Sequence, residues 1–201
     1  KSWNSPVESF QAISSKDPYK LLISTLLSLR TKDEVTSKAV QKLFLKAPNI
    51  YAMVKLSSQA IQDLIYPVGF YRNKSLLILE ISHRILKEFQ GQVPNNLKDL
   101  LSFKGVGLKT ANLVLAQGFG IPAICVDVHV HRISNRLGFI KTKNPDETEK
   151  TLSKKVPKDY WNQINTLLVG FGQVLCKPVS PFCSSCPVAY LCSKMGVEKH
   201  R

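Results

Sequence analysis

Acid is scarce in this chain. Fourteen aspartates and glutamates stand against 28 lysines and arginines, a formal charge of +14 at neutral pH. That shortage points to a polyanionic partner, nucleic acid first, ahead of the plainer reading of a basic surface kept for solubility. Long apolar runs are missing too. None approaches the roughly 20 residues of a membrane helix, so no span is expected. No basic amphipathic helix is set apart from the rest, which argues against an anionic membrane surface. No secretory leader is recognisable at Lys1, although the chain does not begin with methionine and an upstream targeting segment stays open. Cysteine is sparse, five in all, and four of them crowd toward the C-terminal end. An odd count with that clustering argues against a secreted disulfide scaffold and for a metal site in a reducing compartment.

Sustained period-two alternation is also lacking, which removes a β-sheet as the organising element. What remains is helical. Apolar residues recur at helical spacing over residues 19–29, 32–46, 74–89 and 161–175. Pro48 and Gly91 follow the second and third of these as stops. Asn144-Pro145-Asp146-Glu147 reads as an N-cap, a proline at the first helical position and an acid at the third. The last segment is apolar at 161, 164, 167, 168, 171, 174 and 175, which predicts a broad buried face. The apolar run at residues 123–128 has the composition of a strand, but nothing is there to pair with it. The pattern predicts an all-α protein of about ten helices with short connections. A hydrophobic fraction of 44% over 201 residues supplies a core for one domain or two small ones.

After Cys176 the helical pattern gives way to Pro, Ser and Cys, in CKPVSPFCSSCPVAYLC. Cys176, Cys183, Cys186 and Cys192 are soft thiolate donors, enough to close a tetrahedral or cubane site. Structural zinc usually takes two separate two-residue knuckles. A single knuckle with all four ligands in one short tail favours a [4Fe–4S] cluster over zinc. Cys125, inside an apolar run, reads as a buried structural thiol.

FKGVGLKT, residues 103–110, resembles a phosphate-gripping loop at first sight. A Walker loop places glycine directly before its lysine, four spacers after the first glycine. Here Leu108 precedes Lys109, and Gly105 and Gly107 lie only two apart. The better reading is a helix-hairpin-helix. One helix passes through residues 97–101, Gly105 and Gly107 make a tight turn at positive φ, and a second helix starts near Leu108 with Leu108, Ala111 and Leu115 inward. Its backbone amides suit a phosphate oxygen. Asp127 lies downstream, after an apolar stretch where a carboxylate needs a reason. It reads as the cap of a helix starting near Val128, a role compatible with chemistry.

The hairpin, the Gly/Pro loop at residues 118–122, Asp127 and the cysteine tail occur in one order. Together they resemble the helix-hairpin-helix DNA glycosylase superfamily, and within it the iron–sulfur branch of endonuclease III type, over nearly the whole chain from about Ser5. The resemblance implies two helical domains with a DNA-binding cleft between them. Residues 11–121 would form a six-helix barrel carrying the hairpin. Residues 1–10 and 122–201 would form a cluster domain, with the cluster loop at 176–192. Lys109 matches the family's catalytic lysine and Asp127 its catalytic aspartate. Two related branches lack that lysine, so its presence points to a bifunctional glycosylase and AP lyase acting through a Schiff base on oxidised pyrimidines.

Arg30 and Phe70 match the positions whose side chains penetrate DNA, where many relatives carry glutamine and leucine. Lys104, Gly105, Gly107, His129 and Arg132 match or surround backbone-contacting positions, with Arg136 near them. The loop between Cys176 and Cys183 keeps only Lys177 of the basic residues common there, so little DNA contact is expected of it. The implied partner is double-stranded DNA containing damaged bases or abasic sites, met by a monomer without a membrane. Its place would be the nucleoid of a prokaryotic cytoplasm, or a eukaryotic nucleus or mitochondrion. The alternatives are a mismatch or alkylation glycosylase on the same scaffold, and a non-catalytic damage-binding module.

Overall fold

A computed structural model of the chain describes residues 17–201. The expectations for residues 1–10, and for the start of the barrel at residue 11, lie outside that range. Among the described residues there are ten α-helices and no strand. The chain divides into two compact units, one ending at Phe119 and the other beginning at Gly120.

The first unit is built around α1 (Pro18–Ser28). Asp17 caps it, its Oδ1 accepting from the amides of Tyr19 at 2.9 Å and Lys20 at 3.2 Å, and Pro18 presets the first turn. Leu21, Leu22, Ile23, Leu26 and Leu27 are all buried, as are Ser24 and Thr25, so this helix is buried on nearly every side. Such a helix must lie inside its unit. It packs against α2 (Asp33–Lys46), α5 (Tyr71–Glu88), and α7 (Leu108–Leu113) with the π-helical turn Val114–Gly118 that follows it. The polar edge of α1 is matched too, since the Tyr19 hydroxyl meets Ser82 Oγ at 2.7 Å. Helix α2 turns Thr36, Ala39, Val40 and Leu43 inward, the i, i+3, i+4, i+7 stripe of an amphipathic helix. Between α2 and α5 stand α3 (Ile50–Met53) and α4 (Ser58–Ile65), capped by Asn49 and Ser57. Helix α6 (Leu97–Leu101) is capped by Asn96 and leads into the hairpin turn.

The second unit opens on residues 120–127, which form neither helix nor strand although residues 123–126 are buried. A buried irregular backbone needs hydrogen-bond partners, and two asparagines supply them. Asn162 Oδ1 accepts from the Ala123 amide at 3.0 Å, and its Nδ2 donates to the Gly120 carbonyl at 3.3 Å. Asn165 Nδ2 donates to the Cys125 carbonyl at 3.1 Å. Both stand on α10 (Trp161–Val174), reached through α8 (Val128–Arg136), α9 (Pro145–Lys155) and the 3-10 turn Lys158–Tyr160.

The cap expected before α9 is present. Asn144 Oδ1 accepts from the Glu147 amide at 2.9 Å, and Glu147 Oε2 accepts from the Lys143 amide at 2.9 Å. The face predicted for α10 needs correction. Leu167 is 63% exposed and Val174 is exposed as well. Asn162, Asn165, Val169 and Gly172 take the backbone contacts and close approaches instead, and the apolar count over-weighted large side chains. The core of this unit is small: Ile124, Val126, Val130, Ile140 and Leu152, with Val156, Trp161, Ile164 and Leu168 packed against it. Beyond α10 the tail has one helical turn, the 3-10 turn Ala189–Leu191, and little buried apolar surface.

Candidate active site and nucleic-acid interface

The hairpin joins α6 to α7. Phe103 is buried beneath the turn and packs edge-on against Phe89 at 5.7 Å between ring centroids. Gly105 takes φ +77°, a backbone conformation that calls for glycine, and a Cβ there would come within 2.8 Å of the flexible end of Leu77. Gly107 corrects the expectation of a second positive φ. It is extended, at φ −94° and ψ 177°, and serves as the N-cap of α7. With no side chain at the cap, the first amides of α7 receive no side-chain bond from it, and such amides are ready partners for an anion. Lys104 and Lys109 are both exposed, Lys109 as the second residue of α7, while Ala111 and Leu115 are buried and Leu108 half-buried.

Asp127 is half-buried and caps α8. Its Oδ1 accepts from the amides of His129 and Val130, both at 2.9 Å. The carboxylate is thereby fixed to the start of a helix whose dipole favours negative charge. Lys109 belongs to the first unit and Asp127 to the second.

Helix α8 points its other named residues inward. Gly172 on α10 leaves room for them: a Cβ there would stand 2.5 Å from His129 Nδ1 and 2.9 Å from Ile133 Cδ1. His129 Nδ1 lies 3.2 Å from Arg132 Nη2, which also donates to the Cys176 carbonyl at 2.8 Å. Burial lowers the Arg132 pKa, opposed by Cys176. Arg136 is 7% exposed and donates to the carbonyls of Lys177 at 2.8 Å and Pro178 at 3.1 Å, and to Cys176 Sγ at 3.4 Å. The two arginines therefore hold the root of the cysteine tail. The sequence shows their charge but not where they aim it.

Cys176, Cys183, Cys186 and Cys192 are free thiols and all four line one cavity. Its remaining wall is mainly apolar, including Leu137, Phe171, Leu175 and Phe182. Burial raises the Cys183 pKa, as do the three other cysteines, while Lys194 lowers it. Among the described residues, no three His, Cys, Asp or Glu side chains converge as they would on a single metal ion. The donor set of four soft sulfurs in one apolar cavity, with Arg136 and the Lys194 amide donating toward two of them, fits a thiolate-ligated group.

Arg30 and Phe70 are brought together. Both are exposed, and both take the left-handed conformation, at φ +55° and +59°. The Arg30 guanidinium lies 5.7 Å from the centre of the Phe70 ring. A residue that sequence reasoning missed stands below them. Lys74, one helical turn after Phe70, is 7% exposed and donates to the carbonyls of Leu27 at 2.8 Å and Leu29 at 2.6 Å. Its only sequence signal is a lysine on the inward stripe of α5.

Comparison with known proteins decides the family. The model of the HhH-GPD superfamily base excision DNA repair protein matches residues 23–158. The chain is 49% identical over 170 residues to endonuclease III of Thermotoga maritima, covering 85% of this chain and 80% of that protein. The chain belongs to the endonuclease III family. It is 42% identical to the chloroplastic endonuclease III homolog 1 of Arabidopsis thaliana over 87% of its own length, and spans about half, 48%, of that longer relative. Its fold matches the solved structure of a trapped endonuclease III–DNA covalent intermediate, an estranged-adenine complex. The TM-score is 0.82 at 37% identity, covering 89% of this chain and 84% of the other. Membership accounts for the hairpin, and among the described residues no helix is long and apolar enough to cross a membrane.

Proposed function

We propose that this endonuclease III family member is a bifunctional DNA glycosylase and AP lyase that removes oxidised pyrimidines, with Lys109 as nucleophile and Asp127 as its acidic partner. The observation that carries the reading is the exposed Lys109 at the start of α7, next to a hairpin turn shaped by Gly105. A relative trapped covalently on DNA supports it.

The damaged nucleotide first leaves the stack, which costs a few kcal/mol. Lys109 Nζ then forms a bond to C1′, and the glycosidic bond breaks with its electron pair going to the departing base, which takes up a proton. The C1′ nitrogen loses a proton, and the C1′–O4′ bond then breaks with its electron pair going to the ring oxygen, which takes up a proton. The sugar ring opens, and the resulting iminium acidifies the C2′ proton. Removal of that proton expels the 3′ phosphate oxygen with its electron pair. Asp127, held by two backbone amides, would offset positive charge developing at the sugar and exchange a proton with the lysine or the leaving base. Lys104 and the hairpin amides at Gly105 and Gly107 would grip phosphate, His129 would stand near the backbone, and Arg30 and Phe70 would fill the space vacated in the duplex. Arg132, bonded to the Cys176 carbonyl, is assigned to the tail rather than to phosphate.

The four cysteines would hold a [4Fe–4S] cluster. The cluster would supply a cross-link that orders the tail, which has little core of its own.

Borohydride trapping on abasic DNA tests the central assignment. Wild type should give a covalent adduct and Lys109→Ala none. Absence of a wild-type adduct, or an adduct with the variant, removes Lys109 from this role. A panel of thymine glycol, dihydrouracil, uracil and 8-oxoguanine substrates sets the lesion class, and excision confined to the last two would refute oxidised pyrimidines.

A further inference from the structure

The buried Lys74 has no part in the chemistry above, yet it anchors a polar cluster in the first unit. Its ammonium has three protons and three partners: Leu27 O, Leu29 O and Thr31 Oγ1, the last at 3.2 Å. Thr31 Oγ1 also accepts from the Gly69 amide at 3.1 Å and donates to Leu29 O at 3.3 Å. The residues on both sides of Arg30 are therefore tied to one cation directly, and the residue before Phe70 is tied to it through Thr31 Oγ1. The backbones of the two loops also touch. A Cβ on Gly69 would lie 2.6 Å from the Arg30 carbonyl oxygen. Burial lowers the Lys74 pKa to about 8, which leaves the ammonium mostly charged at neutral pH, and three oxygens face that charge.

We propose that Lys74 is a positioning residue that locks the loops of Arg30 and Phe70 into one preset DNA-penetrating unit. The cluster explains how two adjacent non-glycine residues can both be kept left-handed, a conformation that persists only where the surroundings over-determine it. It also explains the residue type. A lysine ends in a compact cation with three donors, which suits three oxygens converging from one side, whereas the planar fork of arginine does not. Preset loops lose less freedom on entering the duplex, so Lys74 acts on capture of the damaged site. The inference rests on the reading of Arg30 and Phe70 as penetrating residues.

A double-mutant cycle of Lys74→Met and Phe70→Ala separates the two ideas. The readout is affinity for a duplex carrying a tetrahydrofuran abasic analogue, relative to undamaged duplex. Each single variant is expected to reduce that ratio by about tenfold, and the double variant by little more than either alone. A Phe70→Ala protein that discriminates like wild type overturns the penetrating reading and the clamp with it. Loss by Phe70→Ala alongside an unchanged Lys74→Met, or alongside multiplying effects, overturns the clamp alone. Thr31→Val keeps the shape but removes the hydroxyl shared by Lys74 and Gly69, and must show the same coupling to Phe70. It serves as the test if Lys74→Met does not fold, and an additive Thr31→Val then refutes the proposal.

Discussion

Phe70 sits in a conformation that its residue type disfavours, and the residue is 60% exposed. A non-glycine residue held left-handed costs on the order of 1–3 kcal/mol. Glycine would relieve that strain while giving back roughly 0.5–1 kcal/mol through the freer unfolded chain. Phe70→Gly should therefore leave stability unchanged or raise it by up to about 2.5 kcal/mol, while weakening binding to abasic duplex. Urea unfolding and a binding titration check the two halves, and a clear loss of stability would show that the ring is packed rather than presented. Asp127 invites the complementary substitution. Asparagine caps helices about as well as aspartate, so Asp127→Asn should unfold within about 0.5 kcal/mol of wild type but slow base excision by tenfold or more. Equal excision rates would reduce Asp127 to its capping role.

At the scale of elements, the approach of α8 to α10 depends on Gly172. A methyl group there meets His129 and Ile133 at under 3 Å, side chains already fixed by their neighbours. Gly172→Ala should cost about 1–3 kcal/mol by overpacking, seen as a lower thermal midpoint. A midpoint equal to wild type would mean the helices yield freely. Elements of this kind were the most legible in the sequence. Apolar spacing located the long helices to within three residues at each end, and Asn144 and Asp127 announced the starts of α9 and α8. What local pattern could not show were partners far apart in the chain. The run at residues 123–126 looks like a strand because its side chains are buried, but its backbone bonds go to Asn162 and Asn165 some 40 positions away. Arg132 and Arg136 read as basic residues near the DNA backbone and Lys74 is not singled out, yet each turns its donors onto main-chain carbonyls of a distant segment. Gly107 read as a turn glycine because two glycines so close suggest one tight bend, whereas a single left-handed residue suffices.

At the scale of the whole molecule, the excess of basic charge and the shortage of acid become a measurable dependence on salt. Neutralising phosphates releases condensed counterions, so log affinity falls linearly with log salt by about 0.9 for each phosphate contacted. Some of the 28 basic side chains are spent inside the fold, Lys74, Arg132 and Arg136 among them, and cannot contribute to that slope. Lys104 is exposed at the hairpin turn and free of any such assignment. Lys104→Gln should therefore lower the slope by about one on abasic and undamaged duplex alike, because phosphate contacts position without reading the base. Phe70→Ala should do the reverse, leaving the slope as it is and lowering affinity for the abasic duplex more than for the undamaged one. Titrations of both variants at several salt concentrations decide the matter. An unchanged slope with Lys104→Gln would move the phosphate grip away from the hairpin, and a changed slope with Phe70→Ala would show that the two loops follow the backbone rather than enter the stack.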